Sequence, residues 1–309
     1  MENVSVVIPS YKSEKLISRT ILSIINTGVL SNNIFVIEDG VFDNTVDVLK
    51  TLTGINHISY KKNKGAPYAR NLGLSKVKTK YVMFIDSDDF VSQSLISGLV
   101  ESAEKDNADI TFGPWRLDGD SIPQGKLRQP PNLTADDWVL HWINKECVPT
   151  CSVLWKTEKV REIGGWNEKL KKNQDGEIAV RGLINTNNLS ISTQGYSTYW
   201  QHNSEIRVSN ANIKDRLYAS DLVYNHIFNW INKYKKLSKY RAKLGRYCCK
   251  VAWHAQSENE ESLSYIWLER ANDLGYTSKG YNRKTTFISN LFGFRYAVII
   301  YPKILMLLK

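Results

Sequence analysis

Three carboxylates crowd into four positions at the end of the apolar run "YVMFIDSDDF": Asp86, Asp88 and Asp89, with Ser87 between the first two. Carboxylates that close repel one another, and burying them unpaired is costly. A second acidic pair, Glu38 and Asp39, closes another apolar run, "NIFVIEDG". A hard divalent cation makes the first cluster tolerable, since Mg2+ or Mn2+ takes one or two carboxylates, keeps some water and completes its shell with phosphate oxygens. The chain contains neither GxxxxGK[ST] nor GxGxxG, so neither Gly-rich backbone cradle for phosphate is present. A D-x-D pair completed by a metal and a diphosphate is the chemistry that this spacing allows.

The elements around these acids predict where they sit. "VSVVIPSY" (residues 4–11) has the β-branched continuity of a strand buried on both faces. Residues 13–27 predict a helix, with Leu16, Ile17, Ile21, Ile24 and Ile25 on one stripe, Ser13 as cap and Gly28 as stop. Residues 33–40, "HISYKKN" and "YVMFID" predict three more strands, separated by helices over 44–52 and 66–74. This alternation predicts an α/β fold with a mostly parallel sheet and right-handed crossovers. In such sheets ligands bind beyond the carboxyl ends of the strands. Pro9 to Tyr11, Glu38 to Gly40, Asn63 to Gly65 and Asp86 to Asp89 therefore converge on one rim.

The chain of 309 residues is long enough for one large α/β domain with an appendage, or for two ordinary domains. Its net charge of +10 is uneven, with 26 basic and 26 acidic residues up to Trp230 and 15 against 5 thereafter. A balanced body with an acidic rim argues against nucleic acid as a partner, despite the basic tail. Cys147, Cys151, Cys248 and Cys249 lack paired spacing and are expected as reduced thiols. Met1 leads almost directly into a strand, so no secretory signal is expected before the fold and a cytoplasmic location follows.

"VSVVIPSYKSEKLISRTILSI", "IEDGVFDNT", "NKGAPYARNLGL" and "MFIDSDDF", in this order over about 90 residues, resemble the family 2 glycosyltransferases of GT-A fold. The resemblance continues more loosely to about Ser209. It implies a catalytic domain over 1–209, with a nucleotide-binding half (1–110) and an acceptor-side half (111–209). Beyond it nothing resembles the family, and residues 210–309 read from their own pattern as a helical, basic region, with Leu217, Leu222, Val223, Ile227, Trp230 and Ile231 along one stripe. The resemblance implies that Pro9, Tyr11 and Glu14 lie against base and ribose, and that Asp39 accepts a hydrogen bond from the pyrimidine. Arg70 then approaches the base or diphosphate, Ser87 lies within the donor site, Asp86 meets ribose or a metal-bound water, and Asp88 ligates Mn2+ or Mg2+. Val41 and Phe42 depart from the small polar residues common after the strand-two acid, although Gly40 keeps the turn.

The same resemblance makes Asp175 the general base that deprotonates the acceptor hydroxyl, with Glu177 as the fallback and a helix cap as the structural alternative. Gln174 stands where the family usually has Glu. His202 is implied as a further metal or diphosphate contact, with Arg207 as a diphosphate clamp. The implied reaction is inverting transfer from a nucleotide-diphosphate sugar, most simply a UDP-sugar, to a glycan or lipid-linked glycan in cell-surface polysaccharide or glycoconjugate synthesis. Trp166 is expected against the acceptor. A sugar nucleotidyltransferase is disfavoured because "PSYKSEK" has no glycine to meet a triphosphate. The tail ends in "LFGFRYAVIIYPKILMLLK", which suits peripheral attachment to an anionic membrane surface on the cytoplasmic face, or docking on the catalytic domain.

Overall fold

The computed structural model describes residues 1–40, 43–122, 124–143, 147–201, 212–234, 237–276 and 288. The chain divides into two compact units, Met1–Asp136 with Cys147–Val208, and Asp137–Glu146 with Ser209–Lys309.

In the first unit, the continuous apolar runs form strands whose residues face helices on both sides. β1 (Val4–Ser10) is buried along its whole length. It is followed by α1 (Ile17–Ile25), β2 (Ile34–Asp39), α2 (Thr45–Lys50), β3 (Asn56–Tyr60), α3 (Ala66–Lys76) and β4 (Tyr81–Phe84). The four strands pair in parallel, in the order β3-β2-β1-β4. All four therefore release their carboxyl ends on one rim, as the alternation predicts. Helix α3 lies close against the sheet at Gly73, where a Cβ would meet the Val7 side chain at 2.3 Å.

The chain continues through β5 (Phe90–Val91), α4 (Leu95–Asp106), β6 (Ile110–Phe112), β7 (Trp115–Gly119) and α5 (Ala135–Ile143). Then come β8 (Val153–Lys156), α6 (Thr157–Glu162), α7 (Gln174–Ile184), β9 (Leu189–Ile191) and β10 (Ser197–Gln201). Strand β8 inserts antiparallel between β4 and β6, and β9 closes a sheet of seven strands. Strands β5, β10 and β7 make a second, smaller sheet. Leu117 to Gly119 are strand residues because Tyr199 to Gln201 pair with them from β10.

One helix start differs from expectation. Ser13 does not cap α1: its hydroxyl takes the Tyr11 N–H and meets Ser87 Oγ at 2.7 Å, while Leu16 occupies the N-cap position. The Ile17, Thr20, Ile21 and Ile24 face is buried in the core.

The second unit contains α8 (Ile213–Lys233), α9 (Leu237–Ser257) and α10 (Glu261–Asp273). Asn212 caps α8 by accepting the Asp215 N–H. Leu217, Val223, Ile227, Trp230 and Ile231 of α8 are buried, and Leu222 is half-buried. Arg270 lies over the rings of Tyr224 and Trp267, each at 4.5 Å, and pairs with Asp221 at 2.6 Å. Among the described residues no helix is long and apolar enough to cross a membrane.

Candidate active site

The D-x-D segment leaves β4 as a tight turn that other elements hold from behind. Thr20 in α1 donates to the carbonyls of Ser87 and Asp89, at 2.9 and 2.7 Å. Arg19 donates to the Asp88 carbonyl at 2.7 Å, with its guanidinium lying 4.4 Å from the ring centres of both Phe90 and Trp200. Asp89 points inward, 1% exposed, and accepts the Trp200 N–H at 2.8 Å. Burial, and then the neighbouring Asp88 and Asp86 charges, push its carboxyl well above the usual range. Burial thus favours the uncharged form of one of the three crowded acids. Asp86 and Asp88 remain at the half-buried edge.

Asp86 has a cationic partner. Arg70 of α3, itself 3% exposed, donates to Asp86 Oδ1 at 2.5 Å and to Gln174 Oε1 at 3.0 Å. Its guanidinium lies 4.3 Å from the Trp166 ring. Arg70 is thus a buried strut between the β4 tip and the start of α7. Trp166 is 2% exposed and packs edge-on against Phe84 at 5.1 Å. This corrects the expectation that Trp166 touches an acceptor, because sugar stacking needs an exposed ring face and this one is covered by Arg70 and Phe84.

Asp175 lies in the first turn of α7, half-buried. It accepts no hydrogen bond from a helix N–H; its electrostatic neighbours are Arg70 and Asp86. A capping role is therefore absent. Burial raises its carboxyl to about 6, opposed by Arg70 and assisted by Asp86. Glu177 is 1% exposed and pairs with Arg181 through both oxygens, at 2.6 and 2.7 Å, so it is withdrawn from solvent. Gln174, neutral where an acid is usual, leaves Arg70 to balance Asp86 and Asp175.

On the other side of the rim, Asp39 is 3% exposed and accepts the Lys64 and Gly65 N–H groups at 2.7 and 2.8 Å. Gly65 adopts φ +93°, which lets both amides point at one carboxylate. Each Asp39 oxygen keeps a lone pair for another donor. Pro9 is buried in β1, and Tyr11, 39% exposed, lies just beyond it. Glu14 is half-buried and accepts the Asn44 N–H at 3.1 Å. His202 and Arg207 lie outside the described residues.

Asp86 and Asp88 offer hard oxygen donors of the kind that Mg2+ and Mn2+ take. Among the described residues no group of three or more His, Cys, Asp or Glu is placed to hold a metal. Two carboxylates fit an ion whose remaining ligands are water and diphosphate, and they do not fit an all-protein cage.

Several site residues escaped sequence reasoning. Thr20 could have been found, as the polar member of the Ile17, Ile21 and Ile24 stripe. Arg19 and Trp200 are united only by the fold. Glu38 did not escape, but the acidic rim to which the sequence assigned it is not where its side chain lies: it is fully buried and accepts from Ser10 Oγ at 2.9 Å, while its other oxygen has no partner. Burial raises its carboxyl to about 7.

The glycosyl transferase family 2 model matches residues 5–160 of the chain. Poly(ribitol-phosphate) beta-N-acetylglucosaminyltransferase TarP of Staphylococcus aureus is 26% identical over 310 residues, covering 92% of this chain and 89% of that protein. UDP-Glc:alpha-D-GlcNAc-diphosphoundecaprenol beta-1,3-glucosyltransferase WfaP of Escherichia coli is 28% identical over 156 residues, 50% of this chain and 60% of that one. Among solved structures, S. aureus TarS 1-349 in complex with UDP-GlcNAc superposes with a TM-score of 0.63 at 18% identity, covering 94% of this chain and 92% of that one. The latter likeness is one of fold.

Proposed function

This chain belongs to glycosyl transferase family 2, and we propose that it transfers a hexose or N-acetylhexosamine from a UDP-sugar to a hydroxyl of a cell-surface polymer, with inversion at the anomeric carbon. The observation that carries this reading is the placement of Asp175, a carboxylate of raised proton affinity that caps nothing and shares Arg70 with Asp86. An acceptor hydroxyl entering between them loses its proton to Asp175 as its oxygen bonds to the anomeric carbon. The bond from that carbon to the diphosphate breaks, and the diphosphate leaves with the electron pair. Asp86 and Asp88 are the residues that would hold Mg2+ or Mn2+. The bound ion supplies Lewis-acid stabilisation of the departing charge. Arg70 fixes Asp86 and moderates the basicity of Asp175. Asp39, with Pro9, Tyr11 and Glu14 beside it, receives the uracil and ribose.

The relatives named above support an acceptor among poly(ribitol-phosphate) chains or lipid-linked glycans. In this reading the reaction takes place on the cytoplasmic face of the membrane, with the basic segment beyond Trp230 as the contact to anionic lipid. Thermal melts with a panel of nucleotide-sugars, with and without manganese, test the donor site. Stabilisation by UDP and UDP-sugars that requires manganese is expected; equal shifts for all nucleotides, or none, would remove the reading. Flotation with neutral and anionic vesicles, before and after truncation at Phe292, tests the membrane contact, which equal recovery would refute.

A further inference from the structure

A line of side-chain oxygens runs from the interior of the sheet to the D-x-D turn. Glu38 Oε2 lies 2.9 Å from Ser10 Oγ, Ser10 Oγ lies 3.3 Å from Ser13 Oγ, and Ser13 Oγ lies 2.7 Å from Ser87 Oγ. Glu38, Ser10 and Ser13 are 0%, 1% and 7% exposed, and Ser87 is half-buried at the edge. The line therefore connects a fully buried acid to a hydroxyl standing between Asp86 and Asp88. Four separate segments contribute one member each: β2, β1, the turn before α1, and the turn after β4.

The direction of the hydroxyl protons along this line depends on the acid at its end. A neutral Glu38 donates to Ser10. Ser10 then donates to Ser13, which also takes the Tyr11 N–H at 3.2 Å. With both of its lone pairs occupied, Ser13 must give its proton to Ser87. Ser87 is left with an outward O–H, ready to donate to a phosphate or ribose oxygen. An ionised Glu38 accepts from Ser10 instead and draws each hydroxyl proton inward, so that Ser87 meets a ligand as a lone-pair acceptor. Lone pairs facing phosphate oxygens repel; an O–H attracts them.

We propose that Glu38 is a positioning residue for donor binding, acting through Ser10 and Ser13 to set whether Ser87 offers a proton to the nucleotide diphosphate. This rests on the donor-site reading given above. The surroundings of Glu38 favour the neutral form at the lower end of the physiological range. Its Oε1 is buried without a partner, and the charged groups that bear on it, Asp43 and Asp39, are both acidic. Its proton affinity, raised to about 7 by burial, makes the line responsive near neutrality.

The test is equilibrium titration of UDP, in the presence of manganese, into the full chain and its Glu38→Gln and Ser10→Ala variants at pH 6 and pH 8. Glutamine keeps a donor toward Ser10 at every pH, so it mimics the neutral acid. Comparing variant with wild type at one pH cancels the titration of UDP itself. Near-equal affinities of wild type and Glu38→Gln at pH 6, with the variant about three- to tenfold tighter at pH 8, are expected from one hydrogen bond gained or lost. Ser10→Ala, which severs the line, should bind more weakly than wild type at pH 6 and match it at pH 8. Should Glu38→Gln fold poorly, Ser10→Ala alone decides. An affinity ratio that is the same at both pH values, in variants that bind UDP, overturns the proposal. Absence of UDP binding in the wild type as well would instead overturn the donor-site reading and this proposal with it.

Discussion

Arg70 and Asp86 meet at 2.5 Å with the arginine almost fully enclosed, and the same guanidinium is the principal counter-charge of Asp175. A buried cation shared by two carboxylates from different elements couples the β4 tip to the start of α7. Removing one partner of such a pair leaves an uncompensated buried charge, typically about 3–5 kcal/mol. Because the Asp86 side chain left behind is 31% exposed, Arg70→Gln should lower the unfolding free energy by less than that, about 1–3 kcal/mol, read by urea denaturation. In whatever fraction folds, loss of the positive charge should raise the proton affinity of Asp175 above the value of about 6 set in its presence. The acid limb of the rate profile should then move to higher pH, and an unmoved limb would separate Arg70 from the base.

Asp175→Asn should bind UDP with unchanged affinity and lose transfer by roughly 10²–10⁴-fold, the usual contribution of a general base. A base works only when deprotonated. In the wild type, kcat/KM should fall as pH drops below about 6, the value to which burial brings Asp175. The asparagine variant should have a residual rate without that limb. Steady-state kinetics from pH 5 to pH 8 with a fixed donor decide both points. Full turnover by Asp175→Asn would reassign the role.

Asp88→Ala should abolish the gain in UDP affinity on adding manganese. Metal-free binding should persist, because Asp39 and its neighbours are untouched. Calorimetric titration with and without manganese reads this directly. Retention of the full metal effect would mean that Asp88 is not a ligand.

The parallel half of the sheet could be read from residue order because each strand is buried on both faces and writes itself as an unbroken apolar run, as in Val4 to Pro9. The placement of Asp39 and Asp86 at the strand ends was legible for the same reason, since an acid after such a run is carried to the strand tip. Strands β8, β9 and β10 are three to five residues long, and their identity depends on partners far along the chain. Tyr199 pairs with Leu117, a separation that no local pattern encodes. Trp166 misled because an indole near a Gly-Gly turn reads equally as a sugar platform or as packing; the covering Arg70 comes from a different crossover. Ser13 looked like a cap, and its diversion to Ser87 required the D-x-D turn to be placed first.

Glu38 also gives the fold a pH-dependent stability that can be measured without nucleotide. Its carboxyl has an ordinary value of 4.5 in the unfolded chain and is raised to about 7 in the folded one, first by burial. The folded state therefore binds the extra proton between these limits. Stability from this group is complete below about pH 4.5, declines as pH rises toward 7 and stays at its lower level above that. The full decline is on the order of 3 kcal/mol. Glu38→Gln cannot ionise and should not show it. Relative to wild type, the melting temperature of the variant should rise steadily from pH 5 to pH 8, where the difference is largest. Subtracting the two curves removes the contributions of Asp175 and other groups common to both. A difference that does not change with pH would mean that Glu38 titrates as an ordinary carboxylate, with the sheet interior open to water at its position.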